Sequence, residues 1–275
     1  MKLIREMLSG ILSQDELEKV AGGFDLIGNI AILKLPEEME PAKKKVVAEL
    51  LMDRIPRLKS VWNQTSPFEG PYRLRGLEHL AGSSDTRTEY REHGVRLIVD
   101  VARAYFSPRL SEERLRVARQ VRENEVIFNM FSGVGSYSIL IAKMVKNVKV
   151  YSSEINEEAY NLMVENIELN RVSGNVIPML GDCREHARNF RSAFNRVIMS
   201  LPEESSNYLP VAIETASKGA VIHFYAMAKG EKKKVVQEEF ERVRSRFDSL
   251  KMLAGRVVTE AGPRVYEVVL DLLRE

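Results

Sequence analysis

The chain has 275 residues, of which 44% are hydrophobic, 29% charged and 7% aromatic. That composition excludes a disordered or collagen-like chain, and the length allows one large domain or two modest ones, each with a core of its own. The formal net charge of +2 is too small to name a partner, and Cys183 is the only cysteine, which excludes an intrachain disulfide and a zinc site built on paired cysteines.

In chain order, Leu3, Ile4, Met7, Leu8, Ile11 and Leu12 recur at helical spacing and predict a helix within residues 1–20, ended by Gly22-Gly23. This stretch carries charges throughout and lacks the apolar block of a signal peptide. No apolar run approaches the roughly 18–20 residues that span a bilayer, so a cytoplasmic protein without membrane attachment is expected. IGNIAILKLP reads as one strand stopped by Pro36, PAKKKVVAELLMDRI as an amphipathic helix between Pro41 and Pro56, and LKSVWNQ as a strand. TSPFEGPYRLRG, rich in Gly and Pro, is a loop. GVRLIVDVARAYF alternates and reads as a strand. SPRLSEERLRVARQV reads as a helix capped by Ser111 with acids in its first turn. A small α+β domain over residues 1–106 follows from these segments.

From Glu125 onward strands and helices alternate. EVIFNMF, VKVYSSEI, NVIPMLGD, NRVIMSLP and GAVIHFYAMA are strands, and a helix follows each. LKMLAGRVVTEAG and RVYEVVLDLL are two final strands with no helix between them, so one runs antiparallel to the rest. This rhythm predicts an α/β, Rossmann-like doubly wound sheet over residues 107–275.

Between Arg54 and Arg122 lie thirteen Arg and Lys59 against eight acids, a local net of +6. A guanidinium is a planar fork of donors suited to phosphates and base edges, so nucleic-acid contact is one reading of this stretch and a solvated face the other. FNMFSGVGSYS places Gly133 and Gly135 in a turn between strand and helix, where glycine lets the backbone approach a ligand closely. The third glycine of a dinucleotide fingerprint is absent, since position 138 is Ser. Glu154 ends the next strand, where a carboxylate can accept both ribose hydroxyls. Asp182 ends the one after, where a carboxylate can accept from an adenine amino group. The three features on one strand edge outline a site for an adenosine without phosphate.

This arrangement resembles the class I S-adenosylmethionine-dependent methyltransferases. With PYRLRGLEHLAG, TEYREHGVRLIVDVARAYFSPRLSEERLRVA, MFSGVGSYSILIAK and RVIMSLP in order, the chain resembles the archaeal and eukaryotic tRNA guanine-37 N1-methyltransferase family, which shares its scaffold with wyosine-synthesis enzymes. The Tyr105–Leu110 block, Y-F-S-P-R-L, is the most specific piece. The resemblance implies S-adenosylmethionine as cofactor, held by Phe131, Gly133, Gly135, Glu154 and Asp182, and tRNA as partner, with a monomer expected. It implies methyl transfer to guanine N1, with Glu113 as general base and Arg73 near O6. Tyr105, Arg109, Ser200, Leu201 and Pro202 fall on the family's substrate-site positions. N1 carries a proton and becomes nucleophilic only when a base removes it, while O6 gains negative charge.

Two departures accompany the resemblance. Ser200-Leu201-Pro202 stands where the family usually has an Asn before Leu-Pro or Pro-Pro, and a hydroxyl has one donor where the amide has two. Full-length members carry a further N-terminal domain, but about 25 residues precede the first matching strand here, so that domain is expected to be absent and tRNA to be held more weakly. The alternatives are a wyosine-pathway transferase, moving a methyl or aminocarboxypropyl group to a modified guanine, and a non-catalytic RNA-binding relative. His79, His93, His186 and His223 lack ligand spacing, so no metal is expected. Cys183 reads as a packed residue, and Lys232-Lys233-Lys234 as a solvated face on the helix around EKKKVVQEEFERVRSRF.

Overall fold

The computed structural model describes residues 8–9, 12–19 and 24–275. The helix expected within residues 1–20 falls largely outside them, and what is described is α1 (Gln14–Lys19), with Leu8, Leu12 and Leu17 buried. The chain divides into two compact units, Met1–Ser111 and Glu112–Glu275.

In the first unit the single strand expected at IGNIAILKLP is a hairpin, β1 (Asp25–Ile27) and β2 (Ile30–Leu33). Gly28 adopts φ +57, and a Cβ there would meet the Thr88 hydroxyl at 2.2 Å. Gly28-Asn29 is therefore a turn inside an apolar run that periodicity alone reads as continuous. α2 (Pro41–Arg54) starts on its proline, as its fixed φ favours. β2 pairs in parallel with β3 (Ser60–Gln64), and β3 pairs antiparallel with β4 (Leu77–Gly82). Val47, Ala48 and Leu51 of α2 pack with Leu33, Val61 and Leu80 of this four-stranded sheet.

The strand expected from Gly94 to Phe106 ends at Asp100. It forms β6 (Val95–Asp100), paired with an unforeseen β5 (Arg87–Glu92) through the His93-Gly94 turn. Asp100 Oδ1 accepts from the Ala102 amide at 3.0 Å, which turns the chain out of the strand. Ser111 is not the helix cap. A 3-10 turn, Pro108–Leu110, precedes it, and its hydroxyl is 2.9 Å from His93 Nε2.

The second unit begins with α3 (Ser111–Gln120, whose first residue closes the first unit). Its strands are β7 (Val126–Asn129), β8 (Lys149–Glu154), β9 (Val176–Leu180), β10 (Phe194–Met199), β11 (Ala216–Lys229), β12 (Leu250–Gly262) and β13 (Val265–Arg274). They form a seven-stranded sheet in the order β12-β13-β11-β10-β7-β8-β9. All neighbouring pairs are parallel except those of β13, the antiparallel strand expected. Connecting helices are α4 (Ser136–Met144), α5 (Glu157–Leu169), α6 (Cys183–Ala187), α7 (Ser205–Thr215) and α8 (Val235–Arg244). Lys232-Lys233-Lys234 lies in the exposed turn before α8 and not on the helix. After β9 the chain returns to the other side of β7, so the strand order reverses between β7 and β10. A crevice opens outside the carboxyl ends of the strands at such a reversal. Among the described residues no helix is long and apolar enough to cross a membrane.

Candidate active site

The glycine turn follows β7 at that reversal. Gly133 (φ +55) and Gly135 (φ +86) both take the left-handed conformation. A Cβ on Gly135 would stand 2.9 Å from Met163 Cγ and 3.0 Å from Ile139 Cδ1, so glycine is needed for both backbone and space. The turn is fixed from three sides. Ser132 N donates to Ser153 O at 2.9 Å, Asn166 Nδ2 to Val134 O at 3.0 Å, and Gly133 N to Glu154 Oε2 at 2.6 Å.

Glu154, at the end of β8, also accepts the Asn156 amide on Oε1 at 2.9 Å. Burial pushes its carboxyl above the ordinary range, against those backbone bonds, and it makes no ion pair among the described residues. The Ile155 amide is a third backbone donor to the carboxylate, so of its four lone-pair sites at least one stays open. An acid bonded by amides, with no cation paired to it among the described residues, suits a neutral hydroxyl donor, so the residues present fit a ribose hydroxyl.

Asp182, at the end of β9, caps α6 by accepting the Arg184 amide at 2.8 Å and holds the Arg184 guanidinium through Nε at 3.0 Å to each oxygen. Arg184 keeps its carboxyl below the ordinary range. The same guanidinium lies 5.0 Å from the Tyr208 ring, and Tyr208 meets Phe131 edge-on at 5.0 Å. Arg184 and Tyr208 were not singled out in the sequence. The available signal was an aromatic in the first turn of the helix after the fourth strand of this sheet. Cys183 is buried with its thiol pushed up to about 12 by desolvation, so it is packed and unreactive.

The segment after β10 completes the edge. Ser200 Oγ donates to Phe131 O at 3.2 Å, Ser205 Oγ donates to Leu201 O at 2.8 Å, and Met227 N donates to Pro202 O at 3.3 Å. With its proton given to Phe131, the Ser200 hydroxyl offers a ligand only lone pairs.

Glu113, in the first turn of α3, is 2% exposed. Arg116 Nε reaches Oε2 at 2.9 Å and Oε1 at 3.1 Å, Arg116 Nη2 reaches Oε1 at 2.8 Å, and the Tyr225 hydroxyl donates to Oε1 at 2.6 Å. Behind Arg116 runs a row of alternating charge. Asp271 accepts Arg116 Nη1 at 2.5 Å and Nη2 at 3.1 Å, and lies 2.6 Å from His223 Nδ1. Arg196 Nη1 lies 2.7 Å from His223 Nε2 and its Nε donates to Glu125 at 2.7 Å. A guanidinium only donates, so His223 is neutral with its proton on Nδ1, and desolvation holds its pKa low. The sequence pointed to Glu113 but not to the network around it.

In the first unit, the Arg73 guanidinium lies 4.2 Å from the Tyr105 ring, and Tyr105 meets Phe68 edge-on at 4.8 Å. Arg73 adopts φ +51, an uncommon conformation for a residue with a Cβ. Asp25 holds two arginines, the buried Arg75 at 3.1 Å and the exposed Arg109 at 2.9 Å. Arg73, Tyr105 and Arg109, all predicted from sequence, are thus built into one aromatic and basic surface of this unit.

Residues 88–253 match the TRM5/TYW2 methyltransferase domain, and residues 4–86 match the TYW2 N-terminal domain. The chain belongs to the TRM5/TYW2 methyltransferase family. Its enzymes are S-adenosylmethionine-dependent, and the edge formed by Gly133, Gly135 and Glu154 fits that cofactor's ribose. Among curated TRM5/TYW2 relatives, the tRNA (guanine(37)-N(1))-methyltransferase Trm5b of Pyrococcus abyssi is 40% identical over 250 residues, covering 90% of this chain and 73% of the relative. The tRNA 4-demethylwyosine(37)-methyltransferase Taw21 of Saccharolobus solfataricus is 34% identical over 250 residues, covering 90% and 92%. The structure of Methanocaldococcus jannaschii Trm5 in complex with adenosine superposes with a TM-score of 0.82 at 33% identity, covering all of this chain and 79% of that one. Members of the family thus include both the N1-methyl enzymes and wyosine-pathway enzymes.

Proposed function

We propose that the protein methylates N1 of guanine 37 in tRNA, beside the anticodon, with Glu113 as general base and Arg73 stabilising O6. The observation that carries this reading is the Glu113 carboxylate. It is buried, fixed by Arg116 and Tyr225, and belongs to the same unit as the cofactor edge. S-adenosylmethionine, when bound, supplies an electrophilic methyl group. Glu113 takes the N1 proton as the new N–C bond forms, so the guanine remains neutral in the product. Arg73 offers a guanidinium to the negative charge that grows on O6. Tyr105 and Arg109 position the nucleotide, and the Ser200 hydroxyl, with its lone pairs open, accepts from an N–H of the base. The first unit, with its aromatic and basic surface, contacts the tRNA, and the protein works as a monomer. The supports are the 40% identical Trm5b relative and the motif residues around Arg73, Tyr105 and Glu113.

The test is incubation with S-adenosylmethionine and tRNA transcripts bearing G or A at position 37, followed by nucleoside mass spectrometry. The reading predicts 1-methylguanosine from the G transcript alone. Product from both transcripts, or none from either, would contradict it.

Two observations favour a second reading, methyl transfer to carbon 7 of a wyosine precursor. Taw21 is matched over 92% of its length, and Ser200 stands where the resemblance places the family's usual Asn. Glu113 would then take the proton from the carbon that receives the methyl group.

A further inference from the structure

A carboxylate base needs one oxygen with an open lone pair and a frame that stops the group from turning. The two oxygens of Glu113 differ in this respect. Oε1 accepts from Tyr225 at 2.6 Å and from Arg116 at 2.8 and 3.1 Å. Among the described residues Oε2 accepts only from Arg116 Nε at 2.9 Å, with the half-exposed Arg256 Nη1 farther off at 3.6 Å. Oε1 is saturated, while Oε2 keeps capacity.

Tyr225 is fully buried on β11, and the Tyr137 hydroxyl of α4 donates to its oxygen at 3.1 Å. Desolvation, with Glu113 nearby, pushes both phenols well above their ordinary range. Tyr225 therefore keeps its proton and acts as a permanent donor.

We infer that Tyr225 is a positioning residue for the transfer reaction, holding Glu113 by Oε1 and so making Oε2 the atom that takes the proton. The inference rests on the reading of Glu113 as base. Arg116 is the other half of the frame, held from behind by Asp271. Among the described residues, the groups that face Glu113 are Arg116 from its own helix, Tyr225 from β11 with Tyr137 behind it, and Arg256 from β12. Asp271 of β13 acts through Arg116. Of these, Tyr225 is the only neutral group in direct contact, so removing its hydroxyl leaves the local charge unchanged.

The experiment compares wild type, Glu113→Gln and Tyr225→Phe. Measured are kcat, KM for a G37 transcript, cofactor affinity and Tm. Glu113→Gln is expected to abolish most turnover. Tyr225→Phe is expected to lower kcat about tenfold, the effect of losing one hydrogen bond to a charged group. KM and cofactor affinity should hold. An inactive Glu113→Gln with a wild-type kcat in Tyr225→Phe would overturn the inference and leave the base reading standing. A lower Tm and raised KM with an unchanged kcat would mark Tyr225 as merely structural and also overturn it. An active Glu113→Gln would remove the base reading and the inference with it. Should Tyr225→Phe not fold, Tyr137→Phe removes only the bond that orients the Tyr225 hydroxyl. It should lower kcat by less with KM unchanged, and a wild-type kcat there would overturn the inference.

Discussion

Glu154 and Asp182 end neighbouring strands, and the fold treats their charges in opposite ways. Asp182 has a cation of its own in Arg184, which lowers its pKa, whereas Glu154 has backbone amides alone and burial raises its pKa. Glu154 therefore adds to the stability of the free protein at low pH, and that contribution is lost as the pH rises through its raised folded pKa. Its ionised form is the better acceptor for ribose hydroxyls. Affinity for S-adenosylmethionine should accordingly fall as the medium is acidified, from a higher pH than an exposed Glu would give, and calorimetry across that range checks it. In the same assay Glu154→Gln should weaken cofactor binding on the order of tenfold or more, the scale of hydrogen bonds to a charged group. Glu113→Gln should do the reverse, cutting single-turnover transfer by roughly 10²–10⁴ while cofactor affinity stays nearly intact. Both acids and both glycines were legible in the sequence, because a glycine turn and strand-end acids come at fixed places in a strand–helix alternation. Arg184 and Tyr208 were not, since what brings them to the edge is the packing of α6 and α7.

Among the elements, the strand–helix alternation of the second unit was readable to within a few residues, because each buried parallel strand is a short apolar run bounded by turn residues. The first unit was less readable. Its hairpins turn on Gly28-Asn29 and His93-Gly94 inside stretches whose periodicity looks unbroken, and Asp100 ends β6 by bonding the Ala102 amide. The charged row through α3, β10, β11 and β13 was invisible for another reason. Its members are 155 residues apart in the case of Arg116 and Asp271, and only the sheet order makes them neighbours. Asp271→Asn would leave Arg116 and His223 with a weaker partner in a buried site. Denaturation at neutral pH should show a loss of about 3 kcal/mol, the scale of a broken buried ion pair. Arg116 and His223 hold the Asp271 carboxyl below its ordinary range despite burial. Its contribution is thus present above the unfolded pKa, about 4, and lost as the pH falls toward the lower folded value. The gap between wild type and variant should narrow with acidification. In the glycine turn, Gly135→Ala meets both a left-handed φ and the Met163 side chain. It should cost about 1–2 kcal/mol of stability and weaken cofactor binding, read by Tm and calorimetry together.

At the scale of the whole molecule, the second unit places two chemistries on one sheet. The carboxyl ends of β7, β8 and β9 carry the proposed cofactor edge. α3, which precedes the sheet in sequence, carries the proposed base, anchored to β11 by Tyr225 and to β13 through Arg116 and Asp271. The first unit supplies an aromatic and basic surface around Arg73, Tyr105 and Arg109. The arginine-rich stretch between Arg54 and Arg122 was legible as a charge pattern. Which of its members stack on aromatics and which pair with acids depended on the fold, as Arg75 on Asp25 shows. Within the family, the identity of the accepted base separates the two readings. The deciding measurement is kcat/KM with radiolabelled S-adenosylmethionine for two tRNAs in parallel, one with unmodified G37 and one carrying 4-demethylwyosine at that position, with the methylated nucleoside identified in each. The account predicts efficient transfer to unmodified G37, yielding 1-methylguanosine. Transfer to the 4-demethylwyosine tRNA alone would contradict it and make the protein a later enzyme of that pathway.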